Sequence, residues 1–307
     1  MKIVLLDAIT FGDTDLRCFD ALGEVHTFEA TEPSLTQSRI AGMDVVVTNK
    51  VVITREHMQN TPSLKLICVA ATGMNNVDLE AAKELGIAVK NVAGYSTDSV
   101  VQHTFSMLFY LMGHSRYYDE VVKSGNYSRS GIFTDVSHPF FEIKGKTWGI
   151  IGLGAIGREV ARVATAFGAN VIYFSTSGRN SSDMYEQVVL HRLLESSDII
   201  SIHAPLNEKT KNLLNYDKLQ HLKEGAIVLN LGRGGIIDEE AVAEIVDERE
   251  LYFGLDVFEK EPLPENSPLL SVQNPQRLYL TPHIAWTSVE AREKLIASVC
   301  HNIKESL

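Results

Sequence analysis

A chain of 307 residues exceeds what one hydrophobic core usually holds, so two domains are the first expectation. The 45% hydrophobic and 22% charged fractions are those of an ordinary globular protein, and the net charge of −11 is spread along the chain with no Lys/Arg cluster to neutralise a phosphate backbone. Nucleic acid is thereby excluded as a partner, and so is a membrane: the apolar run in MKIVLLDAIT is too short for a secretory leader, and no stretch is apolar for the length of a bilayer, which gives a cytoplasmic expectation.

Short Val/Ile-rich runs alternate with helical patterns, the signature of βα units that build a parallel sheet. The first series of predicted strands is Lys2–Leu6, Asp44–Thr48 and Leu66–Ala70. A second series follows at Thr147–Ile151, Asn170–Phe174, Asp198–Ile202, Ala226–Asn230, Tyr252–Asp256 and Arg277–Leu280, which predicts a second sheet. Between them, residues 98–125 keep helical apolar spacing and predict one long helix, buried between the domains or against a second subunit. His103 and His114 fall within that pattern, where packing or exposure is expected rather than catalysis. A closing amphipathic helix returns toward the first domain. Cys18, Cys68 and Cys300 are odd in number, far apart and without a C-x-x-C pair, so reduced, mostly buried thiols are expected, with no disulfide framework and no structural zinc.

The segment TWGIIGLGAIGREVARVATAFG sets Gly152, Gly154 and Gly157 in G-x-G-x-x-G spacing after a buried strand and at the mouth of a helix. Gly152 permits the tight turn, Gly154 lets the backbone approach a pyrophosphate on the helix N-terminus formed by Ala155 and Ile156, and Gly157 lets helix and strand pack. At the end of the next strand an acidic residue would hold a ribose 2′-hydroxyl and repel a 2′-phosphate. Ser175 stands there instead, followed by Thr176, Ser177 and Arg179, a potential anion cradle that favours NADP(H). The alternative is an exposed polar loop in an enzyme that uses NAD(H).

Three further stretches, each after a predicted strand, carry Arg233 in LNLGRGGIID, Glu261 in GLDVFEKEPLP and His283 in LTPHIAW. The carboxyl ends of parallel strands line a ligand crevice, so these side chains are expected to face the nucleotide. With ATGMNNVDLEAAKELGI and NVAGYSTDSVVQHT upstream, the motifs resemble the D-isomer-specific 2-hydroxyacid dehydrogenase family over nearly the whole chain, and TPHIAW and NVAGYSTDSV look most like its glycerate dehydrogenase, or hydroxypyruvate reductase, branch. The resemblance implies an α/β protein with a Rossmann-type sheet and a flavodoxin-like substrate domain. That substrate domain is discontinuous, expected at 1–98 and 284–307, with the dinucleotide domain at 99–283 and a homodimer joined through the long helix region. It implies catalytic roles for Arg233, Glu261 and His283, contact of Asp256 with the nicotinamide carboxamide, cofactor contacts from Ala204 and Pro205, and substrate contacts from Gly73, Met74, Asn49 and Lys50. Gly73 has a turn as its alternative role.

The residue types suit the chemistry. Hydride delivered to a keto carbon leaves an alkoxide, which an imidazole can protonate; a carboxylate fixes the ring, and a guanidinium grips the substrate carboxylate through paired bonds. No metal is expected in this reaction. The competing function is a dinucleotide-sensing binding protein of corepressor type, which turnover with hydroxypyruvate or glyoxylate would distinguish. A formate-oxidising relative is disfavoured by the Glu–His pairing.

Overall fold

The computed structural model describes residues 1–306 and divides the chain into two compact units. Unit 1 comprises Met1–Ser96 and the chain from Thr287 onward, and unit 2 is Thr97–Trp286. Leu307, the last residue of the expected 284–307 segment, lies outside the described residues.

Unit 1 holds a parallel five-stranded sheet of β1 (Lys2–Leu5), β2 (Glu24–Thr27), β3 (Val45–Thr48), β4 (Leu66–Val69) and β5 (Ala88–Lys90). Its order, β2-β1-β3-β4-β5, is the flavodoxin-like arrangement. The central strands β3 and β4 are buried along their whole length, which explains their uninterrupted VVVT and LICV runs. The flanking strands β2 and β5 hold only exposed and half-buried residues, so no apolar run marks them in the sequence. Helices α1 (Thr36–Ile40), α2 (Arg55–Gln59) and α3 (Leu79–Glu84) connect β2 to β3, β3 to β4 and β4 to β5. Thr54 caps α2 in a capping box with His57, and the Asp78 side chain accepts from Ala81 N to cap α3.

Unit 2 opens on α4 (Thr97–Met112), α5 (Ser115–Lys123) and α6 (Asn126–Ser130). The single helix predicted over 98–125 is therefore broken, because the chain after Gly113 enters the left-handed region at His114 (φ 45°), which ends an α-helix. Only α4 is buried: Phe105, Met107, Leu108 and Leu111 pack on unit 2's own sheet. At Gly254 a Cβ would stand 3.2 Å from the Met107 methyl carbon, so the absence of a side chain there admits the helix.

That sheet contains seven parallel strands: β6 (Thr147–Ile151), β7 (Asn170–Phe174), β8 (Glu186–Gln187), β9 (Ile199–Ile202), β10 (Ile227–Asn230), β11 (Tyr252–Leu255) and β12 (Leu278–Leu280). They are interspersed with α7 (Ala155–Ala166), α8 (Leu190–Ser196), α9 (Tyr216–Leu219) and α10 (Glu239–Glu248). The order is β12-β11-β10-β9-β6-β7-β8, so the chain moves outward one way from β6 to β8 and then returns to the other side at β9. Alternate strand residues serve two cores: Ile150 and Leu229 meet α4 and α7, whereas Ile151 and Val228 meet α8, α9 and α10. With both faces covered, the inner strands read as solid hydrophobic runs, while the exposed two-residue β8 leaves no trace in the pattern. The two ends of unit 2 meet, Ser99 Oγ donating to Ala285 O at 2.6 Å.

The last helix, α11 (Val289–Ser306), belongs to unit 1 and packs on β4. Arg292 donates to Phe11 O at 2.7 Å and to Asp13 at 2.8 Å. The expectation of three reduced thiols is corrected here: Cys18 and Cys300 form a disulfide across 282 positions. Sequence spacing cannot reveal such a pair, because the two residues meet only through the fold. Cys68, on β4, is free and buried, and burial pushes its thiol up to about 12. No helix of the described residues is long and apolar enough to cross a membrane.

Candidate active site

All the ligand signals of unit 2 lie at the carboxyl ends of its strands, around the point where strand order reverses at β6. Gly152, just after β6, has φ 93°, and a Cβ on it would press to 2.9 Å from the Ala204 backbone. Gly157 is equally constrained, since a Cβ would stand 2.3 Å from Gly152 O. At Gly154, the N-cap of α7, a Cβ would meet nothing within 4 Å. Two of the three glycines thus close the turn and the third leaves its outer face open. The first turn of α7, with Ala155 and Ile156, carries no acidic side chain, so its N–H groups and dipole favour an anion.

Flanking strands add unsatisfied polar groups. Ser175 Oγ, after β7, is buried without a hydrogen-bond partner, and so are both ring nitrogens of His203, after β9. Burial pushes the His203 imidazole down to about 3, which keeps it neutral at physiological pH. A buried polar atom without a partner is costly, and a ligand bound over the glycine turn would supply partners to the groups on both sides of it. The open Gly154 face, the α7 N-terminus and these orphans fit a dinucleotide. His203 is absent from the residues inferred from sequence; its only signal there is its place at a strand end, one residue before Ala204. Of the expected phosphate cradle, Thr176 is half-buried, and Ser177 and Arg179 are exposed, with Ser177 Oγ accepting from Arg179 N at 3.2 Å. Ala204 is buried against Gly152, and Pro205 is exposed.

The loop after β10 presents Arg233. Asn230 clamps it, its side chain accepting from Gly232 N at 3.1 Å and donating to Arg233 O at 2.9 Å. The neighbouring glycines are steric necessities: a Cβ on Gly232 would meet Ala204 O at 2.8 Å, and one on Gly234 would overlap Phe258 O at 1.8 Å. Arg233 itself is half-buried, with Nη1 donating to Gly232 O at 2.7 Å.

Gly234 therefore rests on the segment that carries Glu261. That carboxylate accepts from Phe258 N at 3.1 Å through Oε1 and meets His283 Nδ1 at 2.7 Å through Oε2. The side chains of His283 and Glu261 are only 21% and 31% exposed, sheltered yet reachable. His283 adopts φ 55°, a conformation that non-glycine residues rarely hold without support. Support comes from its N–H, which donates to Asp256 O at 2.8 Å and to Thr281 O at 2.9 Å.

Asp256, the residue expected to touch a carboxamide, has a buried carboxylate that is also engaged within the protein. It accepts from Thr281 Oγ1 at 2.7 Å, Ile284 N at 2.8 Å and Ala285 N at 2.9 Å, and so ties down the loop that bears His283. His103 stands behind this loop, with Nε2 at 3.2 Å from Thr281 Oγ1 and 3.6 Å from Asp256. Burial lowers its pKa, opposed by the Asp256 charge. His103 therefore meets the loop through a polar contact as well as through the packing that, with exposure, was its expected alternative.

The remaining candidates belong to unit 1. Asn49 N donates to Asp7 at 2.9 Å and Lys50 N at 2.6 Å, so the backbone donors of both residues are already committed. Burial raises the Asp7 pKa despite these bonds. The Lys50 side chain is exposed and lines a cavity with Asp7, Thr54 and His57. Gly73 and Met74 lie in the loop after β4, where Met74 O accepts from Val77 N at 3.1 Å.

A parallel sheet that reverses order at a glycine turn, with a carboxylate-bound histidine and an arginine on neighbouring loops, defines a dinucleotide-dependent oxidoreductase. Comparison with known proteins narrows the class: the model of the D-isomer specific 2-hydroxyacid dehydrogenase NAD-binding domain matches residues 105–285, and the chain belongs to that family. A putative 2-hydroxyacid dehydrogenase of Haemophilus influenzae is 38% identical, with 91% of this chain and 89% of that one covered. A hydroxypyruvate reductase of Blautia hydrogenotrophica is 35% identical, with 100% and 97% covered. Among solved structures, an acyclic imino acid reductase in complex with NADPH and D-arginine matches with a TM-score of 0.86 at 28% identity, covering 99% of this chain and 96% of that one.

Proposed function

We propose that the protein reduces a small 2-keto acid, hydroxypyruvate or glyoxylate, to D-glycerate or glycolate. The observation that carries this reading is the 2.7 Å contact between His283 Nδ1 and Glu261, which leaves Nε2 as the nitrogen that serves the substrate. The reduced nicotinamide, when bound, supplies the hydride. His283, with both ring nitrogens protonated, then gives its Nε2 proton to the nascent alkoxide, Glu261 accepts from Nδ1–H and fixes the orientation of the ring, and Arg233 grips the substrate carboxylate and polarises the carbonyl. Unit 1 acts as the substrate domain, with Gly73 and Met74 as its carboxylate donors; any contribution of Asn49 and Lys50 comes from their side chains. Glyoxylate, hydroxypyruvate, pyruvate and an imino acid assayed with NADH and NADPH form the test. Dinucleotide binding without turnover on any of them would leave a binding protein instead.

The same reading includes use of NADPH. No carboxylate occurs from Ser175 to Ser182, and the unpartnered Ser175 hydroxyl is free to donate to a 2′-phosphate. Ser175→Asp is expected to shift the ratio of kcat/KM for NADPH over NADH toward NADH by about tenfold to a hundredfold, since a carboxylate repels the phosphate and accepts from ribose hydroxyls. A wild type that already prefers NADH a hundredfold would overturn the NADPH reading and leave the reaction intact.

The protein is further inferred to be a homodimer. Ile132, Phe133, Val136 and Phe140, in the segment after α6, are between 62% and 88% exposed, a cluster that water does not favour. Sedimentation velocity at micromolar protein should show a dimer, and the doubly substituted Phe133→Ser, Phe140→Ser chain a monomer. A monomeric wild type would refute it.

A further inference from the structure

A second cluster in unit 2 carries chemistry that hydride transfer does not use. His191 and Glu195 stand four residues apart on α8, with His191 Nε2 at 3.2 Å from Glu195 Oε1. His221, just past the end of α9, brings its ring to 4.6 Å from that of His191, edge-on at 85°. One ligand atom from each of the three residues lies within 4.8 Å of the other two, and all three residues are exposed.

We infer that His191, Glu195 and His221 form a surface site for a divalent transition ion such as Zn²⁺. Two imidazoles and one carboxylate suit zinc, nickel or copper; magnesium and calcium prefer shells of oxygen alone. On a tetrahedral ion with bonds of about 2.0–2.2 Å, ligand atoms sit roughly 3.3–3.5 Å apart. The His191–Glu195 pair is already at that separation, and His221 needs only a side-chain movement of an ångström or so, which an exposed ring can make.

The scaffold beneath is fixed. His191 and Glu195 flank Leu193 and Leu194, and His221 lies between Leu219 and Leu222; these four leucines are at most 3% exposed and share one core. Packing therefore sets the three backbone positions, and only side chains remain to settle. A bound ion would take the place of the direct His191–Glu195 contact and cross-link α8 to the end of α9, with water in its open positions. Cysteine spacing gives no hint of such a site, since the ligands come from two helices and none is a thiol.

The test is a calorimetric titration of the tag-free, full-length chain with ZnCl₂, together with thermal unfolding with and without zinc. One equivalent bound in the micromolar range and a midpoint raised by several degrees are expected. His191→Ala and His221→Ala should each weaken binding by about tenfold or more. Turnover with glyoxylate should be unchanged in both. His283→Ala should leave zinc affinity intact, a necessary control because His283 and Glu261 are another histidine–carboxylate pair. Absence of binding below millimolar zinc would overturn the inference. So would affinity that survives His191→Ala and His221→Ala, or that disappears in His283→Ala.

Discussion

Replacing His283 by alanine should lower kcat by about 10²- to 10⁴-fold with dinucleotide affinity nearly unchanged. The imidazole matters only as charge develops on the substrate oxygen, so its loss raises the barrier to the chemical step without weakening the ground-state complex. Single-turnover stopped-flow following the reduced nicotinamide reads hydride transfer directly, and a fluorescence titration reads affinity. Glu261→Gln should give a smaller loss, because the amide oxygen can still accept from Nδ1 while the carboxylate's negative charge beside the ring is gone. A His283→Ala enzyme with wild-type hydride transfer would remove His283 from the mechanism.

Arg233→Ala should raise KM for the keto acid and lower kcat/KM by about 10²- to 10⁴-fold. Two charge-assisted hydrogen bonds to a carboxylate are each worth about 1.5–3 kcal/mol, and each 1.36 kcal/mol is tenfold in rate. Arg233→Lys should fall between, since an ammonium keeps the charge but loses the planar fork. The Asn230 clamp on the loop backbone does not involve the Arg233 side chain, so the loop should survive both changes. Steady-state kinetics with each reactant varied decides the matter: a rise in KM for the dinucleotide alone would reassign Arg233 to the cofactor.

The sequence exposes whatever is repeated along the chain and conceals what depends on a single residue or on distant partners. Strands buried on both faces are apolar at most positions in succession, so β3, β4, β6, β9 and β10 stand out, whereas β2, β5 and β8 border solvent and carry no such run. Helical periodicity continues through Gly113 and His114, and only the dihedral angle at His114 shows that the helix stops there. The glycine turn is readable because its three positions answer to three local steric demands. The strand end makes Asp256 legible as a candidate ligand contact, whereas the donors its carboxylate satisfies come from 281–285, more than twenty positions away, and leave no local mark. His203 has no motif at all; its burial without a partner emerges only when β9 is set beside the turn.

Because Ser99 and Ala285 are joined by a hydrogen bond, unit 2 begins and ends at nearly one point. Unit 1, by contrast, is assembled from two stretches of chain that unit 2 separates. That is the geometry of a cassette: a self-contained dinucleotide module spliced into a host loop whose two cut ends need spread very little. A module with adjoining ends can be exchanged for another of the same span, or have its own ends linked and be reopened elsewhere, without asking the host to change its path.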